Sequence, residues 1–208
     1  MRQGALEVAV PRSAGDAGAG GARIGPNSVL QLVPVLDAQL GALARQRLLT
    51  SAGLKELPPD DGLMPEEPAA LLHQELRRQY PAEAAELARE AGERTGDYII
   101  AHRIPTVARR VIRKMPAWLG APLLASAIEK HAWTFAGSGT FRVVSRQPLV
   151  FELVDNPVVR GEHADRPLCD WHAAVFQRLF NVLVDKHMKC VETRCCAMGA
   201  ESCRFEVT

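Results

Sequence analysis

The sequence predicts an α+β fold in which N-terminal helices are followed by an antiparallel sheet packed on helices. Up to about residue 136 apolar residues recur at helical spacing, whereas beyond residue 137 they alternate with polar residues at a period of two. All five cysteines lie between Cys169 and Cys203, which indicates a local task for a C-terminal hairpin. Helices first and strands afterwards are typical of the α+β class.

The domain organisation follows from composition along the chain. Residues 1–25 are rich in Gly and Ala and poor in large apolar groups, so we predict a flexible tail there. Residues 26–208 are predicted to form a single domain. Its helical part spans 26–136, and its sheet part, which holds the cysteines, spans 137–208.

Prolines and glycines delimit the predicted helices. Asn27 and Ser28 offer an N-cap to a helix that runs from Val29 to Leu49, with a boundary or kink at Pro34. The remaining helices are predicted at 66–79, at 82–93 with an end near Gly92, at 106–115, which is basic and amphipathic, and at 117–136; an apolar stretch at 96–105 stops at Pro105.

The sheet part is predicted to contain two hairpins around one helix. Residues 141–143 and 149–153 alternate at a period of two, with a turn at 146–148 between them. A helix follows over 169–184. Two more strands, at 188–194 and 203–207, are joined by a turn at Gly199.

Composition excludes two classes of protein. The chain has 25 basic and 24 acidic residues and only 5% aromatic residues, whereas nucleic-acid binders show a basic excess and stacking aromatic groups. No apolar run reaches about 18 residues, so we expect no transmembrane segment. The start of the chain lacks the unbroken apolar region of a secretory signal. We therefore expect a cytoplasmic protein.

The spacing of the C-terminal cysteines indicates a metal site. Glu192 and Cys195 lie three residues apart where a strand runs into a turn, and Cys203 returns at the start of the partner strand. Cys169, at the head of the preceding helix, can reach the same place. Zn²⁺ takes about four ligands from thiolate, imidazole and carboxylate groups, and four protein ligands make a closed, structural site. Buried cysteines without a metal are the alternative.

The same segment resembles the 4-vinyl reductase domain family. The resemblance rests on PLC at 167–169, ETRCCAMG at 192–199 and CRF at 203–205. In phenol-sensing transcription activators of this family a cysteine, a glutamate and two further cysteines bind zinc, and the matching positions here are Cys169, Glu192, Cys195 and Cys203. The resemblance therefore implies a zinc-pinned C-terminal hairpin. It also implies a curved sheet against helices, enclosing an apolar pocket for a small molecule.

Two upstream segments extend the resemblance to the bacteriochlorophyll-biosynthesis members of the family. They are IGPNSVLQ at 24–31 and TGDYIIAHRIP at 95–105. The resemblance covers about residues 24–208. It also implies a fold similar to those of a vesicle-tethering subunit family and of haem-based gas sensors.

The resemblance implies a role in bacteriochlorophyll biosynthesis and leaves three hypotheses. A vinyl reductase needs a hydride or electron source, yet the sequence shows no nicotinamide, flavin or iron–sulfur motif. We therefore favour a protein that binds a Mg-tetrapyrrole intermediate, such as divinyl protochlorophyllide, as a carrier or accessory factor. The alternatives are an 8-vinyl (in the older numbering 4-vinyl) reductase of divinyl (proto)chlorophyllide, and a ligand sensor or scaffold that acts through protein partners.

A Mg-tetrapyrrole needs an apolar slot, an axial ligand and a basic group for its carboxylate. His131 or His102 is the candidate axial ligand, Trp118 and Trp133 are candidate walls, and Arg113 is the candidate carboxylate partner. Helix ends, ordinary core packing and a solvated helix face are the alternative explanations of these residues. Contact with pathway enzymes is expected, whereas a homodimer and a peripheral position at the photosynthetic membrane are left open.

Overall fold

The computed structural model describes residues 21–208 and confirms the α+β class. The helical part comes first and the sheet part follows, with one helix between the two hairpins of the sheet. The helical part comprises β1 (Arg23–Ile24), α1 (Asn27–Leu30), α2 (Val33–Gln39), α3 (Ala42–Ser51), β2 (Met64–Pro65), α4 (Glu66–Gln79), α5 (Ala84–His102), α6 (Thr106–Lys114), α7 (Ala117–Lys130) and α8 (Trp133–Ala136). The sheet part comprises β3 (Thr140–Arg146), β4 (Leu149–Val154), α9 (Asp170–Leu183), β5 (Cys190–Arg194) and β6 (Ser202–Val207).

The N-terminal boundary differs from the prediction. β1 pairs antiparallel with β2, and Ile24 is fully buried between them and the helices. The prediction of a flexible tail as far as residue 25 is therefore wrong for Arg23 and Ile24, which belong to the folded domain. Residues 1–20 of the predicted tail lie outside the described residues.

The predicted helix from Val29 to Leu49 is divided into α1, α2 and α3. Pro34 lies in the first turn of α2, where its missing N–H costs no helical hydrogen bond. Gly41 then separates α2 from α3 with a positive φ of 84°, a conformation that side chains with a Cβ avoid. The chain therefore turns twice within a stretch whose apolar spacing suggested one helix.

α5 is longer than predicted, because Gly92 lies inside it and does not end it. A Cβ on Gly92 would lie only 2.5 Å from the carbonyl oxygen of Trp171, and one on Gly96 would lie 2.7 Å from the Cβ of Arg178. Both glycines therefore allow α5 and α9 to pack closely. Burial of this interface offsets the low helix propensity of glycine, about 1 kcal/mol per residue.

The sheet has the strand order β3-β4-β6-β5 and is antiparallel throughout. α9 covers one face of it. Phe151 and Phe205 of the sheet meet Phe176 of α9 with ring centroids 5.2 and 5.3 Å away, and all three are fully buried. This aromatic core fixes α9, and with it Cys169, against β5 and β6. Within the described part of the chain, no helix combines the length and the apolar character that a bilayer crossing requires.

Candidate metal centre and apolar groove

The structure brings the four residues of the predicted metal site together. Cys169 immediately precedes α9, Glu192 lies in β5, Cys195 follows β5 directly, and Cys203 lies in β6. One potential ligand atom from each lies within 4.8 Å of all the others, and all four residues are buried. The cluster can therefore hold a metal ion.

A β-bulge explains how Glu192 and Cys195 reach the same side of the sheet. In a regular strand, residues two apart share a face, so Glu192 would share its face with Arg194. The pairing of β5 with β6 shifts between these two residues, which leaves Thr193 as an extra residue. Thr193 and Arg194 are both exposed, and Cys195 turns back into the interior beside Glu192.

The spacing of the three sulfur atoms fits tetrahedral zinc. The Sγ atom of Cys169 lies 3.4 Å from that of Cys203 and 4.0 Å from that of Cys195, and the Cys195 and Cys203 sulfurs are 3.9 Å apart. Zn–S bonds of about 2.3 Å in a tetrahedron place the sulfurs about 3.8 Å from one another. The sulfurs are also too far apart to be bonded, and all of them are free thiols.

Glu192 supplies the fourth group, a buried carboxylate with one oxygen atom that lacks a hydrogen-bond partner. Its Oε2 atom accepts a hydrogen bond of 2.7 Å from the backbone N–H of Cys169. Its Oε1 atom is buried and has no hydrogen-bond partner among the described residues. A buried carboxylate oxygen without a partner is costly, and a cation at the centre of the cluster removes that cost.

Asn156 holds the sulfur atoms in place from the side, a role that the sequence did not reveal. Its Nδ2 atom donates to the sulfur of Cys169 at 3.2 Å and lies 3.7 Å from that of Cys203. Its Oδ1 atom accepts from the backbone N–H of Val158 at 3.1 Å, which fixes the side chain. The sequence Asp155-Asn156-Pro157 indicated only a turn after a strand.

Burial opposes simultaneous ionisation of the four groups of the cluster. Burial raises the pKa of Cys169 far above its ordinary value, and burial raises the pKa of Glu192 to about 8 although hydrogen bonds from Cys169 oppose this. Hydrogen bonds from the Cys169 and Cys203 thiols lower the pKa of Cys195, so that one thiolate is favoured. A divalent cation would release the remaining protons, as metal binding to thiols generally does.

Cys190 and Cys196 do not belong to the cluster. Cys190 is buried in β5, where burial raises the pKa of its thiol to about 12. Cys196 is half-buried, and only its backbone N–H contacts the cluster, donating to the sulfur of Cys203 at 3.4 Å.

An apolar groove opens at the surface, away from the cysteines. The space between α8, the sheet and α9 is filled by Phe135, Phe141 and Phe176, whose ring centroids are 5.1–5.7 Å apart. The groove instead lies between α6 and α7 and has a volume of about 470 Å³. Its lining residues are all apolar: Pro105, Val107, Ala108, Val111, Ile112, Leu123 and Ala127.

Comparison with known proteins decides the family. The pattern of the 4-vinyl reductase domain matches residues 149–208, the segment that contains all four cluster residues. The bacteriochlorophyll synthase 23 kDa chain of Cereibacter sphaeroides is 58% identical over 185 residues, which cover 89% of this chain and 90% of that protein. The protein of the same name from Rhodobacter capsulatus is 49% identical over 183 residues, which cover 88% and 85%. The chain belongs to the bacteriochlorophyll-biosynthesis proteins of the 4-vinyl reductase domain family.

Two solved H-NOX proteins share the fold of this family member. That of K. algicida, an unliganded Fe(II) mutant, aligns with a TM-score of 0.59 at 13% identity over 89% of this chain and 96% of its own. That of S. oneidensis, in the Fe(II)NO state, aligns with a TM-score of 0.55 at 12% identity over 89% and 98%. At such low identity the likeness concerns the fold alone.

The five residues predicted to contact a tetrapyrrole are all exposed in this 4-vinyl reductase domain protein. His131 follows α7, and His102 ends α5 with its ring 4.7 Å from that of Tyr98. Arg113 donates from Nε to the backbone oxygen of Val182 at 3.2 Å. None of the five, which include Trp118 and Trp133, lines the α6–α7 groove. Their contact with a ligand stays a prediction.

Proposed function

We propose that this protein acts in bacteriochlorophyll synthesis by binding a Mg-tetrapyrrole intermediate, such as divinyl protochlorophyllide, as a carrier or accessory factor. The names of its two relatives support the pathway. The observation that carries the choice of a binding role is the closed cluster of three thiols and one carboxylate, all buried. Such a donor set leaves no open position for a substrate, which is typical of structural and not of catalytic zinc.

We assign Zn²⁺ to this cluster, held by Cys169, Glu192, Cys195 and Cys203. The support is the sulfur spacing together with the partnerless Oε1 atom of Glu192. When bound, the ion supplies a cross-link between the start of α9 and the β5–β6 hairpin. The buried side chains of the protein then exclude water from the interior, and the strands of the sheet stay in register.

The α6–α7 groove is the proposed tetrapyrrole site. The groove is open to solvent and its walls are apolar, and apolar walls are typical of small-molecule sites. Arg113 lies on α6 and is the proposed partner of the carboxylate. His102 and His131 remain the proposed axial ligands, and His102 lies three residues before Pro105, which lines the groove.

Absorption titration of the pure protein with divinyl protochlorophyllide tests this proposal. We expect a saturable shift of the pigment bands that is weakened by Leu123→Glu, because a buried unpaired carboxylate repels an apolar macrocycle. Leu43→Glu is the matched control, since Leu43 is exposed on α3 and lines a different hollow. An unsaturable signal, or equal affinity in both variants, would overturn the assignment to this groove.

The same titration with an electron donor separates the alternative functions. Loss of the vinyl group in the presence of a reductant, with no other protein added, would support the reductase and contradict a pure carrier. Pigment binding without turnover supports the carrier. Recovery of pathway enzymes on the protein in the absence of any pigment affinity would support a scaffold instead.

A further inference from the structure

The hairpin of α6 and α7 carries an unusual concentration of exposed apolar side chains, and we propose that it docks on the surface of an anionic lipid bilayer. This inference goes beyond pigment binding and does not depend on it. The side chains concerned and their exposed fractions are Val107 71%, Val111 46%, Trp118 66%, Leu119 44% and Leu123 46%.

Four of these side chains form one continuous surface, and Trp118 immediately precedes one of them, Leu119, in the chain. Val107 and Val111 are four residues apart on α6, and Leu119 and Leu123 are four apart on α7, so each pair lies on one helix face. Val107, Val111 and Leu123 border the same groove, which joins the two faces. The helices are in contact near Gly120, whose Cβ position lies at an ordinary contact distance of 3.6 Å from the backbone oxygen of Ile112.

Basic side chains border this apolar surface. Residues 104–128 contain Arg109, Arg110, Arg113 and Lys114 but no acidic residue, which gives the segment four positive charges. Within residues 21–208 none of the four takes part in an ion pair; those found join other residues. Arg110 and Lys114 are exposed and lie one helical turn apart, on the same side of α6 as Val107 and Val111.

The positive charge and apolar character of this surface favour a lipid bilayer as its binding partner. A second copy pairing through the same surface by two-fold symmetry would bring the positive charges of Arg110 and Lys114 from both copies into one interface, which is repulsive. An anionic bilayer offers the opposite charge and an apolar interior beneath it. Short helices that combine basic groups with exposed Trp and Leu typically lie at this interface, with apolar side chains buried between the headgroups.

Co-sedimentation of the pigment-free protein with vesicles tests the inference. We expect binding to vesicles of mixed phosphatidylcholine and phosphatidylglycerol, little binding to phosphatidylcholine alone, and weakening at high salt, where the Debye length falls to about 3 Å at 1 M. Arg110→Glu with Lys114→Glu should weaken binding at least about 25-fold, because each basic residue near an anionic surface contributes about fivefold.

A matched pair of double variants locates the contact. Arg110→Glu/Leu119→Ser should weaken vesicle binding at least about tenfold, since it removes both a positive charge and a leucine that would be buried in the bilayer. Arg47→Glu/Leu43→Ser makes the same changes on α3, where both side chains are exposed, and should bind as the unaltered protein does. Circular dichroism verifies that both fold.

Fluorescence gives an independent readout in a Trp133→Phe background. Trp118 should shift to shorter wavelength on anionic vesicles and be quenched by brominated lipid, while Trp171, which is buried, should not respond. Absence of vesicle binding, equal binding to neutral and anionic vesicles, or equal losses in the two double variants would overturn the inference. Loss of a dimer in the α6–α7 variant would assign the surface to a second copy instead. Because no pigment is present, failure here is distinct from failure of the proposed carrier function.

Discussion

Replacing Cys203 by serine tests whether a metal ion fastens the C-terminal hairpin to α9. The Cys203 sulfur lies 3.4 Å from that of Cys169 and 3.9 Å from that of Cys195, so the change removes a thiolate from the centre of the cluster. Structural zinc contributes about 10–16 kcal/mol of binding free energy that is also folding free energy. A whole domain is stable by only about 5–15 kcal/mol. We therefore expect the variant to lose more than about 5 kcal/mol of unfolding free energy and nearly all of its zinc.

Cys190→Ser is the matched control for this measurement. Cys190 is also buried and lies in the neighbouring strand β5, but it is not part of the cluster. For this variant we expect the free energy of unfolding to fall only by the cost of burying a hydroxyl group, about 1–3 kcal/mol. About one zinc per chain should be retained. The assays are metal analysis of the purified protein and urea unfolding with and without a chelator. Full zinc content in a Cys195→Ser/Cys203→Ser double variant would refute the assignment of these ligands.

Three further predictions concern residues around the core. Asn156→Leu should lower zinc affinity about 10–100-fold in a competition assay, because the N–H···S contacts that orient two ligands are lost; unchanged affinity would contradict that role. Gly92→Ala should lower the free energy of urea unfolding by about 1–3 kcal/mol, because its Cβ would meet the backbone of α9; a neutral effect would show that the interface relaxes. Burial lowers the pKa of His73 to about 3, so the unfolded chain takes up a proton near its ordinary pKa of 6.5 while the folded chain does not. The contribution of His73 to stability is thus complete above about pH 6.5 and falls below it by about 1.4 kcal/mol per pH unit. His73→Gln should lack that slope, so the difference between the two stability profiles should change by about 1.4 kcal/mol per pH unit between about pH 6 and 4; parallel profiles would contradict it.

The sequence could predict which residues would meet in the candidate metal cluster, but not the β-bulge that brings them together. Cysteine and glutamate are chemically distinctive, and the resemblance added their order. The bulge at Thr193 has no such signature, because the residue types in β5 are compatible with a regular strand. Without it, alternation would place Glu192 and Cys195 on opposite faces.

Helix boundaries were predicted well where proline sets them and poorly where packing does. The predicted start and end of α4 are those observed, and α6 begins directly after Pro105 as expected. Gly92, in contrast, has a low helix propensity and was predicted to end a helix. Its role is set by α9, some eighty residues later in the chain, and a local pattern carries no information about that contact.

The exposure of the candidate ligand-contact residues could not be predicted from the sequence, since residue type does not determine exposure. Trp118 and Trp133 were expected to form apolar walls, yet both are more than half exposed. The apolar groove is lined mainly by small and branched aliphatic residues of α6 and α7. In the sequence these residues are indistinguishable from the core positions of an ordinary amphipathic helix.

The candidate metal cluster and the apolar groove lie at opposite edges of one sheet. The metal cluster joins β5 and β6 to α9, whereas α7 packs beside β3 at the other edge. There the Glu129 carboxylate accepts from the backbone N–H of Val143 at 2.8 Å, and Arg146 donates to the backbone oxygen of Pro122 at 3.0 Å. These hydrogen bonds cover the free edge of β3 and attach the α6–α7 hairpin to the sheet. The cluster is therefore connected to the groove through the sheet and through α9, whose Val182 accepts a hydrogen bond from Arg113 of α6.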